Sequence, residues 1–249
     1  MTDPLAYFLD IDGTLIDFRD SPASVSTVAA QRHALARLRR RAGGALAIVT
    51  GRSIADVDRI FHGTQVAVAG QHGSERRTAR GRYSRIVTGH ESLVHVRDHL
   101  AEVVTRHPGL LLEDKGASLA LHYRRMPSLA GYAHRLVRAQ LATVGDAFCV
   151  QVGKRVVELK PAGRDKGMAV FSFMREPPFR GRRPVFVGDD ATDEFAFEMV
   201  NALGGVSVKV GAGATAASVR LAGVAAVWKW LERFGAHPNG NHVRRAAPK

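Results

Sequence analysis

The sequence predicts an α/β protein: a three-layer core around a parallel sheet, interrupted by a separate α+β module. Two observations carry the prediction. Before residue 80 and after residue 164, continuous apolar runs closing on Asp, Thr or Gly-Asp alternate with helical stretches. That is the pattern of strands buried on both faces by crossover helices. Between those points the strands come in pairs joined by turn residues, which describes hairpins and not further parallel winding. The core is therefore expected over 1–79 and 164–249, and the module over 80–163.

The first strand is Leu5-Ala6-Tyr7-Phe8-Leu9, running into Asp10. A loop containing Ser21-Pro22 leads to a helix over 26–42, with Val28, Leu35 and Leu38 apolar against Arg37, Arg39 and Arg40. Ala45-Leu46-Ala47-Ile48-Val49 is a second buried strand, ending in Thr50-Gly51-Arg52. Ser53 suits the cap of a helix over 54–61, because its hydroxyl accepts an N–H that the first turn leaves over. Val66-Ala67-Val68-Ala69 is the third strand. In the module, 110–113 pairs with 118–123 across Lys115-Gly116, and 148–152 with 155–159 across Gly153-Lys154. Helices over 90–106 and 129–144 fill the gaps. The parallel rhythm returns with a helix over 166–174, strands over 184–188 and 205–210, and a closing helix over 224–234. Residues 236–249 are polar and basic and are expected to fray. The core order is Rossmann-like.

Composition narrows the class. At 249 residues, 45% hydrophobic and 24% charged, the chain can bury a sizeable core. Its apolar runs fall far short of the roughly 18–20 residues that span a bilayer. The N-terminus carries Asp3 and Asp10 around a short apolar run, so a core strand is expected there and not a signal peptide. The lone Cys149 excludes an internal disulfide and fits a reducing cytoplasm, where it reads as a small packed residue. The net charge of +13 is spread along the chain without zinc-finger spacing or an RNA-binding aromatic motif. It would attract an anionic small substrate as readily as nucleic acid, so no specific nucleic-acid partner and no membrane is expected. A monomer is the expected state.

The chemistry gathers at strand ends, where ligands bind in open α/β sheets. Asp10 and Asp12 stand two residues apart after the first strand and share an orientation if the strand persists. Gly13 lets the backbone turn and approach a ligand closely. Paired acids there suit Mg²⁺, a hard cation that takes oxygen ligands, and one acid could attack phosphorus. The alternative is an Asp-Gly turn with both acids solvated. Thr50 follows the second strand, and Asp189 and Asp190 follow a later one. Lys166 opens a helix after Asp165 and is favoured over Lys160 as the lysine of this set. Asp190 and Asp193 suit the cap of a helix over 191–200, a role compatible with supporting a metal. Together these groups supply what phosphoryl transfer needs: a nucleophile, a proton donor, a hydroxyl, an ammonium and a metal-binding acid.

The ordered set Asp10-Ile11-Asp12-Gly13-Thr14, Thr50-Gly51-Arg52, Lys166-Gly167 and Gly188-Asp189-Asp190-Ala191-Thr192-Asp193 resembles the haloacid dehalogenase-like phosphatase superfamily. The inserted module resembles its C2-type cap. Further segments resemble the trehalose-6-phosphate phosphatase family: 69–77, 121–124, 156–161, 188–194 and Val206-Ser207-Val208-Lys209-Val210-Gly211. The resemblance covers roughly 5–234.

That resemblance implies a fold, an activity and roles. The activity is Mg²⁺-dependent hydrolysis of trehalose 6-phosphate, the last step of trehalose biosynthesis. Asp10 would attack phosphorus, and Asp12 would protonate the departing sugar oxygen and then activate water. Thr50 and Lys166 would bind the phosphoryl oxygens. Asp10, the backbone carbonyl of Asp12, and Asp189 would hold Mg²⁺, with Asp190 and Asp193 orienting Lys166 and metal-bound water. Ile11, Gly51 and Arg52 would add substrate contacts in the core, and Glu113, Lys115 and Glu158 would meet the sugar from the cap. On a strand over 154–160, Glu158 shares a face with Lys154, Val156 and Lys160. Such a charged face suits sugar hydroxyls and equally suits cross-strand ion pairs. A phosphatase for another sugar phosphate, such as sucrose 6-phosphate, and a non-catalytic phosphate-binding regulator are the rival readings.

Overall fold

The computed structural model describes residues 4–17, 27–62, 64, 66–86 and 90–234. In chain order the elements are β1 (Leu5–Leu9), α1 (Ala29–Arg41), β2 (Leu46–Val49), α2 (Ile54–Ile60), β3 (Ala67–Gly70), β4 (Glu75–Arg77) and β5 (Tyr83–Arg85). Then come α3 (His90–Arg106), β6 (Leu111–Asp114), β7 (Leu119–His122), α4 (Ala130–Ala139), α5 (Leu141–Val144), β8 (Phe148–Gly153) and β9 (Val156–Pro161). The last group is α6 (Lys166–Met174), β10 (Arg183–Gly188), α7 (Glu194–Ala202), β11 (Val206–Val210), β12 (Val219–Leu221) and α8 (Val224–Phe234). The chain divides into two compact units, Met1–Ser84 with Asp165–Lys249, and Arg85–Arg164.

The first unit is built on a sheet of order β12-β11-β10-β1-β2-β3-β4-β5. Its run from β12 to β3 is parallel, and β4 returns antiparallel against β3. The apolar runs of β1, β2 and β3 are buried because helices cover both faces. Strand order moves outward from β1 through β2 and β3, and from β10 the opposite way through β11 and β12. With right-handed crossovers, that reversal puts α1 and α7 on opposite faces. α8 packs beside α1, and α6 beside α7, completing three layers. Phe8, Phe173 and Phe179 fasten α6 to the sheet, with ring centroids 5.1–6.1 Å apart. Phe186 and Phe197 do the same for α7, edge to face at 5.7 Å. The reversal point lies between β1 and β10, which is where a ligand site belongs.

The second unit is a four-stranded antiparallel sheet of order β6-β7-β9-β8. Leu119, Leu121, Val157 and Leu159 point to one face and form a core with Leu93, Val96, Leu100, Ala133 and Val137 of α3 and α4. The opposite face carries the row Glu113, Ala120, Glu158 and Gln151, one from each strand.

Several expectations need correction. Val28 is 62% exposed and precedes α1, so Leu35 and Leu38 alone of the three are buried. Gly153 pairs with Val156 inside the hairpin, so its turn is Lys154-Arg155, with Arg155 at φ +67°. The helix over 129–144 is divided between α4 and α5 at Gln140. β4, β5 and β12 are short strands without an apolar run to announce them. The Ser21-Pro22 loop and the tail from 236 lie outside the described residues.

Candidate active site

β1 ends at Leu9, and the Asp10 N–H donates to the Val187 carbonyl of β10 at 3.0 Å. Asp10 therefore stands at the carboxyl edge of the sheet, at the reversal point, with 4% of its surface exposed. The strand does not persist through Asp12. The Ile11 carbonyl accepts the N–H groups of Leu15 and Ile16, and Gly13, at φ +74°, turns the chain back. The two acids consequently meet different partners, against the shared orientation expected of a continuing strand. Ile11 is fully buried, and its carbonyl is taken up by those turn N–H groups.

Lys166 opens α6, whose first turn is capped by Asp165 accepting from the Met168 N–H at 2.8 Å. Its Nζ lies 3.0 Å from Asp10 Oδ1 and 2.7 Å from Asp193 Oδ1. The other Asp193 oxygen accepts the N–H groups of Asp189 and Asp190, at 2.8 and 2.9 Å. Asp190 turns its own carboxylate onto Thr192, accepting from N–H at 2.8 Å and from the hydroxyl at 2.6 Å. Lys160, by contrast, belongs to the second unit and donates to the Arg164 carbonyl. Two glycines make this packing possible. A Cβ at Gly188 would lie 2.3 Å from Asp193 Cγ, and one at Gly167 would lie 2.4 Å from the Phe195 carbonyl oxygen of α7.

The electrostatics follow from burial. Desolvation pushes Asp10 well above its usual range, and the neighbouring Asp193, Asp189 and Asp190 push the same way, while Lys166 opposes them. Burial would lower Lys166, but Asp10, Asp193 and Asp190 outweigh it and hold the ammonium charged. Burial also raises Asp193, to about 6, against the pull of Lys166. Asp190 ends lower than usual despite burial, because Lys166 and the Thr192 hydrogen bonds favour its charged form.

Thr50, 1% exposed, follows β2, and its hydroxyl accepts from the Arg52 N–H at 3.2 Å. Arg52 extends to Asp12 in a two-pronged ion pair. The chain leaving β3 is fastened over this turn. The Gln71 N–H donates to the Arg52 carbonyl at 2.9 Å, and the His72 N–H to the Thr50 carbonyl at 3.0 Å. Gln71 and His72 both adopt left-handed φ values, +46° and +55°, which cost about 1–3 kcal/mol each. Glu75 ties Gln71 to the start of α2, accepting from Gln71 Nε2 at 2.7 Å and from the Ile54 N–H at 2.8 Å. The His72 ring fills the space a Cβ on Gly51 would need, 2.9 Å from Nε2.

Glu113, Lys115 and Glu158 gather on the polar face of the second unit. Lys115 Nζ lies 2.9 Å from Glu158 Oε2, and the Ser118 hydroxyl donates to Glu158 Oε1 at 2.6 Å. Glu113 accepts from His122 Nε2 at 2.8 Å. The predicted residues thus fall into two groups, one in each unit. Gln71, His72, Glu75, Ser118 and His122 complete those groups, and residue type alone assigns them no role. Their signal was present for 69–77 and 121–124, as family-like segments, but not for Ser118.

Comparison with known proteins decides the family. The sequence model of the trehalose-phosphatase family matches residues 8–225. The chain is 41% identical over 250 residues to trehalose-6-phosphate phosphatase of Escherichia coli, covering 93% of this chain and 91% of that protein.

The chain belongs to the trehalose-phosphatase family.

A probable trehalose-phosphate phosphatase of Sinorhizobium fredii is 40% identical over 84% of this chain and 78% of its own length. Both relatives are named as phosphatases of a trehalose phosphate. Among solved structures, the C-terminal domain of C. albicans trehalose-6-phosphate phosphatase superposes with a TM-score of 0.84 at 22% identity, over 94% of this chain and 93% of that one. That likeness shows the trehalose-phosphatase fold. Among the described residues, no helix is long and apolar enough to cross a membrane.

Proposed function

We propose that this chain is a Mg²⁺-dependent phosphatase that hydrolyses trehalose 6-phosphate to trehalose and phosphate through an aspartyl-phosphate on Asp10. The observation that carries the reading is the buried contact of Asp10 Oδ1 with Lys166 Nζ at 3.0 Å, at the sheet's reversal point. A carboxylate there can attack phosphorus while the ammonium faces the charge that develops on the phosphoryl oxygens.

The donor set fits a hard divalent cation. Asp10, Asp189 and Asp193 each offer an oxygen within 4.8 Å of the others. Both Asp193 oxygens are already engaged by Lys166 and two backbone N–H groups. That leaves Asp10 and Asp189, to which the family resemblance adds the Asp12 backbone carbonyl, as the groups that would hold Mg²⁺, an all-oxygen set of the kind it prefers. When bound, it would neutralise phosphoryl charge and offset the repulsion among the clustered carboxylates.

Asp10 attacks phosphorus as the bond to the sugar oxygen breaks, and Asp12, once one of its oxygens leaves Arg52 and carries a proton, gives that proton to the sugar oxygen. Donation leaves Asp12 as the base that takes a proton from water, which then hydrolyses the aspartyl-phosphate and restores Asp10. Thr50 and Lys166 bind the phosphoryl oxygens, Arg52 keeps Asp12 placed, and Asp193 and Asp190 keep Lys166 placed. Glu113, Lys115 and Glu158 recognise sugar hydroxyls, supported by the donors and acceptors that Ser118 and His122 add to the same polar face.

A substrate panel tests this. Purified chain with Mg²⁺ should release phosphate from trehalose 6-phosphate in clear preference to glucose 6-phosphate and sucrose 6-phosphate. Preference for either of the others would overturn the substrate, and binding without turnover of any of them would favour the regulator.

A further inference from the structure

Asp189 is gripped at both backbone polar groups by charged side chains. Its N–H donates to Asp193 Oδ2 at 2.8 Å, and its carbonyl accepts from Lys209 Nζ at 2.6 Å. These two groups flank one Cα, so pinning both fixes φ and ψ of Asp189 and leaves only its side-chain torsions free. Lys209 stands on β11 directly across from Gly188 and is 5% exposed. Its ammonium also lies 3.6 Å from Glu194 Oε1. The other Glu194 oxygen accepts from the Ala216 N–H at 2.8 Å and the Thr215 hydroxyl at 3.2 Å, which ties it to the chain beyond β11.

Burying an ammonium costs several kcal/mol unless it is paired, so a lysine here is not an incidental surface charge. The pairing of β11 with β10 runs through backbone groups and does not call for it. Lys166 is the lysine against Asp10, whereas Lys209 acts on the peptide of Asp189. Its charge alone works against a nearby cation by Coulomb repulsion, and Glu194 offsets that charge. What remains is placement.

We propose that Lys209 is a positioning residue for divalent-cation binding: it fixes the Asp189 peptide so that the side chain starts from one place, and Glu194 fixes Lys209. The proposal rests on the reading of Asp189 as a cation ligand. Groups that orient metal ligands are worth about 10–100-fold in metal affinity when removed.

At Lys209 the placement and charge effects have opposite signs, which makes that substitution decisive, whereas at Glu194 both would weaken binding. Mn²⁺, which shares the octahedral oxygen preference of Mg²⁺, is titrated into the full chain and followed by electron paramagnetic resonance. Asp189→Asn is the control for the ligand reading and should lose most of the binding. Lys209→Met should weaken Mn²⁺ binding about 10–100-fold, with KM for the sugar phosphate unchanged at saturating Mg²⁺. Glu194→Gln, which keeps the side-chain shape, should weaken it by about 3-fold or more. If Lys209→Met does not fold, Lys209→Gln, which also removes the charge and is one atom shorter, takes its place and should likewise weaken binding. If Asp189→Asn loses binding while the foldable variant at 209 binds as tightly as wild type or more tightly, the positioning role is overturned. If Asp189→Asn binds like wild type, the ligand reading fails, and the inference with it.

Discussion

Arg52 holds both oxygens of Asp12, Nε against Oδ2 and Nη2 against Oδ1, each at 2.7 Å. The arginine is 8% exposed, so the fork is fixed from behind by the packing of the turn that follows β2. Lysine carries the same charge on a single nitrogen and cannot grip two oxygens in one plane. Arg52→Lys should therefore let the Asp12 carboxylate swing and lower kcat about 10–100-fold, since a misplacement of one ångström is costly at a reacting centre. Steady-state kinetics on trehalose 6-phosphate checks this; unchanged kcat would mean that the fork does not position the acid.

Gly188 is the residue whose side chain must be absent. Its Cβ would lie 2.3 Å from Asp193 Cγ and 2.5 Å from Oδ2. Gly188→Ala should displace Asp193 and, through it, Lys166 and the Asp189 and Asp190 N–H groups. Overpacking of this kind costs about 1–3 kcal/mol, and activity should fall about 100-fold. Thermal unfolding and phosphate release measure the two effects separately. A variant that is destabilised yet fully active would contradict the route through Asp193.

Glu113 gives a pH signature in the second unit. Burial alone would raise its carboxyl, but the hydrogen bond from His122 and the charges of Lys115 and His122 outweigh it and leave it below the ordinary 4.5. A depressed folded-state value stabilises the fold fully above 4.5, and that stabilisation is lost as pH falls through the folded value. Glu113→Gln should cost about 1 kcal/mol near neutral pH and progressively less in acid. Urea unfolding at about pH 7 and about pH 3.5 reads the difference, which should shrink; a constant gap would speak against the charged pair.

Much of the parallel core was legible because its signals are local. Leu46–Val49 is apolar throughout and flanked by Thr50-Gly51, and Lys166–Met174 begins at a capping aspartate. The ends of those elements carried the chemistry with them, so Asp10, Thr50, Lys166 and Asp189 could be named from spacing. Pairwise geometry was not legible. The divergence of Asp10 and Asp12 depends on where β1 stops, which Gly13 and the Ile11 carbonyl settle in three dimensions. Gln71, His72 and Glu75 escaped a role because their importance lies in strained backbone and in a relay to Ile54, neither of which residue type reveals. The strands β4, β5 and β12 escaped because each has three residues and pairs at a sheet margin or with one neighbour.

On the proposed mechanism Asp10 forms a covalent phosphoryl intermediate. Mixing the chain with trehalose 6-phosphate and Mg²⁺, quenching in acid, and mapping peptides by mass spectrometry tests it directly. One phosphoryl group should be found on the peptide containing Asp10, and Asp10→Asn should show neither that group nor appreciable phosphate release. Phosphate release by Asp10→Asn at a rate close to wild type, or a phosphoryl group carried on another peptide, would contradict the account.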